Sequence, residues 1–303
     1  MDLLESFESP LDQMELFSCG VFRLPMWTIE EPENRGLFTS DVVVETCGTP
    51  VSKAAIRKPV AESSTYQLRF AESAEDLENV FRLRFVVFSL ELGEGLESAY
   101  KNGRDTDEFD TVCDHLIVEH RKTGAVVGTY RLQTGRVAAT NLGYYSEREF
   151  DFSPYEPIRN SLTELGRACI HPRHRSLEVL TLLWRGIASY ALARNARYLI
   201  GCSSLTSQCE QDGSDMYWRL QKFLVAPSLR TRPRPEFSIP ITAPTPGMLR
   251  INPPRLLHAY LSIGAQICGA PAIDSEFNTI DFLTLLDLTK LVSGARLHFL
   301  RSK

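Results

Sequence analysis

The chain is expected to fold as an α/β (α+β) domain, and three stretches carry that expectation. Residues 161–170 read as a strand that ends just before Pro172 and hands over to a helix at 176–194, because proline has no N–H to give a ladder. His115–Glu119 and Val126–Leu132 read as a hairpin with Gly124 at its turn. Tyr198–Leu205 reads as a buried strand, followed by a helix at 212–224. Strands and helices that alternate in this way pack as layers around one core.

In chain order, residues 1–60 mix acids, prolines such as Pro10, Pro25, Pro32 and Pro50, and short apolar runs without a persistent period. They are expected to be an N-terminal extension with poorly ordered parts, with one short helix near Leu3–Phe17 and with Phe22 and Trp27 available for docking. The domain is expected to begin at 61 and run to 303, with 250–303 as a C-terminal extension. Tyr66–Ala71 alternates as a strand does. Ser73 then caps a helix, with Asp76 in its first turn. Leu77, Val80, Phe81, Arg84, Phe85 and Phe88 share one face of that helix. Arg84 is the odd member, a cation that either snorkels to solvent or points into a cleft. Arg82 falls on another, solvated face. Residues 93–110 form a loop rich in glycine and acid that lacks calcium-ligand spacing. Residues 139–152 are expected to form a helix through Leu142, Tyr145, Glu149 and Phe152.

The stretch Thr163–Arg175 holds the densest chemistry. Glu164 and Arg167 sit in a strand suited to burial, where charges are costly unless paired or used. Arg173, His174 and Arg175 precede Ser176, a good N-cap. Basic groups beside free helix N–H groups make an anion site. Leu180, Leu183, Trp184, Ile187 and Ala191 follow at helical spacing. Gly201 allows a bulge or a close backbone approach. Residues 230–255 are rich in proline and arginine and read as an excursion over the surface. A helix from Pro254 to Ile263 and a strand opened by Asp281 close the pattern, with Asp274 and Asp281 read as structural caps.

Hydrophobic content of 43% is enough to fill a soluble core. A net charge of −5 argues against a general nucleic-acid binder. The seven cysteines lack paired ligand spacing and read as reduced thiols of a cytoplasmic protein. No signal pattern and no apolar run of membrane-spanning length is present, so any lipid product is met from the water side, by peripheral contact.

Residues 66–290 resemble the GNAT superfamily. Within it they are most similar to the branch of N-acyl amino acid synthases that includes ornithine-lipid acyltransferases and is related to the autoinducer (acyl-homoserine lactone) synthases. The matching pieces are Glu164-Leu165-Gly166-Arg167, Arg84-x-x-Val87-Phe88, the acidic run ending Asp107-Glu108-Phe109-Asp110, the strand around Arg131, and the tail from Gly264 to Phe282. The resemblance implies a mixed, mostly antiparallel twisted sheet with helices on both faces, and two strands that splay to admit a pantetheine arm. It implies N-acyl transfer from a carrier thioester to an amino acid. Asp107 and Asp110 would hold the amine-bearing substrate and the neighbouring arginines, with Arg167 beside them. Tyr217 would be the acid for the leaving thiolate, unless it is a core or rim tyrosine.

Amine attack on a thioester needs a neutral amine, a polarised carbonyl and a protonated leaving thiol. Glu164 is the candidate base, with Arg84 and Arg131 as its partners and the backbone N–H groups near Cys169 and Ile170 as the polarising donors. Coenzyme A users of the superfamily carry glycines at the strand-to-helix step. Here the step is Arg173 to Val179 without glycine, which moves the expected donor to acyl carrier protein, with Cys169, Ile170, Arg173, His174, Arg175 and Ser176 around it. No metal and no resident cofactor is expected, and no acyl-cysteine at Cys169. The rivals are an autoinducer synthase, disfavoured by the tail after 250, and a catalytically silent carrier-binding or lipid-binding module.

Overall fold

A computed structural model of the chain describes residues 60–244 and 253–291. The Leu3–Phe17 helix, Phe22, Trp27 and Arg250 lie outside the described residues. Among the described residues nine strands make one sheet: β1 (Ala61–Glu62), β2 (Tyr66–Phe70), β3 (Asp114–His120), β4 (Ala125–Thr134), β5 (Leu162–Ile170), β6 (Tyr198–Leu205), β7 (Gln266–Ile267), β8 (Ala272–Asp274) and β9 (Thr279–Asp287). Their order is β1-β2-β3-β4-β5-β6-β9-β7, with β8 also on β9. Every pairing is antiparallel except β5 with β6. The helices are α1 (Ala74–Arg84), α2 (Gly135–Thr140), α3 (Leu177–Ala193), α4 (Glu210–Leu220) and α5 (Arg255–Ser262).

Period-2 alternation sends neighbouring side chains of β3 to opposite faces. Leu116 and Val118 meet α3 through Val179, Leu183 and Ile187. Ile117 meets α1 through Val80 and Phe81. Helices therefore cover both faces. Ser73 caps α1 in a full capping box with Asp76, and Ser176 caps α3. A π-helix, Phe85–Leu92, continues α1 and closes at Gly93, whose φ of 69° needs glycine.

The residues expected to be a C-terminal extension supply β7, β8 and β9. β9 pairs along the whole of β6, so they complete the sheet rather than append to it. The helix expected at 139–152 does not form. α2 ends at Thr140, Gly143 takes φ 77°, and a 3-10 turn at Ser146–Arg148 follows. Leu142 is exposed.

Two irregularities shape the middle of the sheet. β5 and β6 pair only at Leu162–Glu164 with Tyr198–Ile200 and then part. At the parting Gly201 lies so close to β5 that an added Cβ would sit 2.2 Å from the Leu165 carbonyl oxygen. Along β4, Thr129 faces Cys169 while Arg131 faces Gly166, so Tyr130 stands opposite both Arg167 and Ala168. This is a β-bulge, and Arg167 adopts φ 48° within it.

Candidate active site

A cavity of about 470 Å³ opens where β5 and β6 separate. One bank is apolar, with Val87, Phe88, Leu180, Leu183, Trp184 and Leu257. The other carries Glu94, Glu164, Asp274, Asp281, Arg131 and Arg167. The π-helix, α3 and α5 supply these apolar residues, and β4, β5, β8, β9 and the turn after the π-helix the charged ones.

Glu164 is buried, at 5% exposure. Its carboxylate accepts hydrogen bonds from the adjacent backbone N–H groups of Tyr145 and Ser146, both 2.8 Å. Burial raises its pKa, and the two amides counter only part of that rise. The partners expected for Glu164, Arg84 and Arg131, are engaged elsewhere. Glu164 sits near the start of β5, where the loop after α2 crosses it, so backbone amides reach it first.

The arginines instead join the acidic run in a buried knot. Arg84, with 0% of its side chain exposed, donates to Asp105 and Asp110, both at 2.7 Å. Arg131 donates to Asp110 at 3.0 Å and also to Asp107. Arg167 donates to Asp107 at 3.1 Å. The bulge permits this, because it turns Arg167 to the face on which Arg131 stands. These cations hold Asp110 well below the ordinary carboxylate range and lower Asp107 too, against burial. Asp107 caps a 3-10 turn and Asp110 accepts from the Asp107 N–H. Both acids are thereby consumed by arginines and their own turn, and neither lines the cavity. Arg84 is likewise walled off from it, so the knot positions Arg131 and Arg167, which do line it.

The carbonyl-polarising donors divide. His171 N–H donates to Val127 O at 2.8 Å. Hydrogen-bonded pairs alternate along an antiparallel ladder, so Cys169 N–H points to β4 and Ile170 N–H points to the opening. Ile170 O, on that same side, accepts from Arg175 Nε at 3.2 Å. Cys169 is therefore not such a donor, and burial raises its thiol to about 12.

The model of the Acetyltransferase (GNAT) domain matches residues 83–185, from Arg84 and the knot to the first half of α3. An L-ornithine N(alpha)-acyltransferase of Rhodobacter capsulatus is 30% identical over 253 residues, 78% of this chain and 95% of that one. The chain belongs to the L-ornithine N(alpha)-acyltransferase family. The Brucella abortus enzyme of the same name is 30% identical over 255 residues, covering 75% of this chain and 86% of that one. The solved structure of the AHL synthase LasI aligns with a TM-score of 0.46 at 11% identity, over 78% of this chain and 95% of that chain. The family is one of acyltransferases, and the GNAT match over residues 83–185 agrees with the fold expected from the sequence.

Other residues of this acyltransferase fall differently from expectation. Tyr217 is half-buried against the Met216, Leu220 and Phe282 cluster under α4 and does not line the cavity. Arg175 lines the cavity, but its guanidinium is bound bidentately to Glu91 at 2.7 Å. His174 bonds the Tyr66 hydroxyl at 3.0 Å, and burial and neighbouring basic groups lower its pKa. Arg173 is exposed. Ser176 accepts from Val179 N–H as the N-cap. The anion cradle is thus reduced to Arg173 and the α3 terminus. Asp274 is a cap, accepting from Glu276 and Phe277 N–H. Asp281 is not, because it is buried facing the cavity.

Sequence reasoning missed Asp105, Glu149 and the amides of Tyr145 and Ser146. Asp105 stood in the same acid run as Asp107, and its burial against Arg84 was the missing fact. No helix of the described residues is long and apolar enough to cross a membrane.

Proposed function

We propose that the enzyme moves a fatty acyl group from an acyl carrier protein thioester to the α-amino group of ornithine or a similar basic amino acid. Ornithine comes from the names of the relatives. The observation that carries the reading is a cavity at the parted strands that is lined both by carboxylates and by an extensive apolar surface. A cationic amine suits one bank and an acyl chain the other.

The amine enters as an ammonium and gives its proton to Glu164, directly or through one water. Burial suits Glu164 to this, since a raised pKa makes a stronger base. Ile170 N–H polarises the thioester carbonyl as negative charge develops on its oxygen. The nitrogen–carbon bond forms and the carbon–sulfur bond breaks. The proton held by Glu164 then goes to the departing thiolate, and the second proton that the nitrogen sheds as the amide forms passes to the vacated Glu164 carboxylate and on to water. Arg131 and Arg167 stand ready for the substrate carboxylate. This scheme needs no metal and no resident cofactor.

The glycine-free step from His171 to Val179 and the exposed Arg173 favour a carrier protein over coenzyme A. The test is purified protein with matched acyl-carrier and acyl-coenzyme A thioesters and a panel of amino acids, read by mass spectrometry. Ornithine acylated from the carrier thioester is the expected product, and equal use of both donors overturns the carrier assignment. Arg173→Glu should lower carrier-dependent turnover by about tenfold at low salt and less at high salt.

A further inference from the structure

Beside Glu164 lies a second pair of carboxylates that the scheme above does not use. Glu149 and Asp281 are 2% and 5% exposed. Their oxygens and the Cys202 sulfur all lie within 4.8 Å of one another. Glu149 Oε1 and Asp281 Oδ1 are buried without a hydrogen-bond partner among the described residues. Asp281 and Cys202 face the cavity, and Glu149 lies directly behind them, off its lining. Two buried acids this close either keep a proton or take a cation between them. Asp274 and Glu164 add to the negative field, and Arg167 opposes it while bound to Asp107.

We propose that Glu149 and Asp281 form the subsite for a second ammonium group on the amine substrate, and so select an α,ω-diamino acid over a neutral amino acid of the same chain length. This rests on the amino-acid acyl-transfer reading above. Ser146 links the two places: its N–H holds Glu164 at 2.8 Å, and its hydroxyl accepts from the Cys202 thiol at 3.4 Å. An amine delivered to Glu164 therefore carries its own side chain toward the pair. A divalent metal is the competing cation. It would take Cys202 as a third ligand, deprotonated by the metal itself, and the metal content of the purified protein decides between the two.

The test compares ornithine with norvaline, which has the same carbon chain without the second amine, by calorimetric binding and by steady-state kinetics. Wild type should bind norvaline more weakly by about tenfold to a hundredfold, the range of a charged hydrogen bond. Glu149→Gln and Asp281→Asn, isosteric changes checked for folding by circular dichroism, should each bring ornithine down toward norvaline. They should raise KM for ornithine more than they lower kcat, and leave norvaline binding unchanged. Cys202→Ser should leave both affinities unchanged. Equal wild-type binding of the two, or variants that weaken both alike, overturns the subsite. So does stoichiometric zinc in the purified protein that is lost in Cys202→Ser. Selective ornithine binding without acyl product would sink the transfer reading and keep the subsite, and ornithine acylation without selectivity would do the reverse.

Discussion

Glu164 is oriented by two consecutive amides rather than by an arginine, one on each carboxylate oxygen. Glu164→Gln should lower kcat by on the order of a hundredfold, and should cost about 1–3 kcal/mol of stability because its NH2 group would face one of those N–H donors. The wild-type pH profile should show an acid limb above the ordinary carboxylate range, activity being lost as pH falls through the raised pKa, and the variant should lack it. Retention of wild-type turnover in Glu164→Gln would move the base elsewhere. Glu149 gives a stability test. Its folded pKa lies above its ordinary value of 4.5, through burial and its neighbours Asp281 and Asp274. A raised acid makes the folded state bind its proton more tightly, so stability falls as pH rises above the ordinary range. Glu149→Gln should melt higher than wild type by a few degrees, roughly 1 kcal/mol, at pH 8. The gain should vanish near pH 4, and a gain independent of pH would refute this account. Glu164 and Arg167 were legible in the sequence because charges inside an apolar strand stand out. Glu149 was not, because its neighbour Asp281 lies 132 positions on, and only the sheet brings them together.

The Arg84, Arg131 and Arg167 knot ties α1, β4 and β5 to the turn at Glu108–Thr111. Arg84→Ala leaves Asp110 with only Arg131 and the fully buried Asp105 with only the 3.5 Å approach of Arg167, and should cost about 3–5 kcal/mol in urea unfolding. A loss under 1 kcal/mol would mean that the acids relax to water. Gly201→Ala should force β5 and β6 apart at Leu165 and lower stability together with turnover. The sequence told well of elements with their own caps and periods: α1 with its capping box, α3 behind Ser176, the β3–β4 hairpin. It misled at 139–152, where Leu142, Tyr145, Glu149 and Phe152 satisfy a helical period. Glu149 and Phe152 are buried instead by a loop wrapped on the sheet, Leu142 is exposed, and Gly143 at φ 77° breaks any helix. Arg84 was legible as an anomaly on an apolar stripe, while its destination was not, since the acids arrive from the loop after the π-helix.

At the scale of the molecule, the tail decides whether there is a sheet to open. β9 covers β6 residue for residue from Tyr198 to Leu205. Truncation before Gly264 removes β7, β8 and β9, bares that edge and takes Asp281 from the cavity, so the shortened chain should be insoluble. Soluble, folded truncated protein would contradict this. The sheet itself has a consequence for stiffness. Its two halves, β1 to β5 and β6 to β9, are joined edge to edge by three residue pairs, Leu162–Tyr198, Thr163–Leu199 and Glu164–Ile200. Beyond them the banks are separate cantilevers, rooted at one end and free at the other. A substrate lying between them acts as a cross-tie, so the loaded enzyme is stiffer than the empty one, and product departs as the tie is cut. Amide hydrogen exchange at residues 166–170 and 202–205 should slow together when acyl donor and amine are both bound, and recover together on turnover.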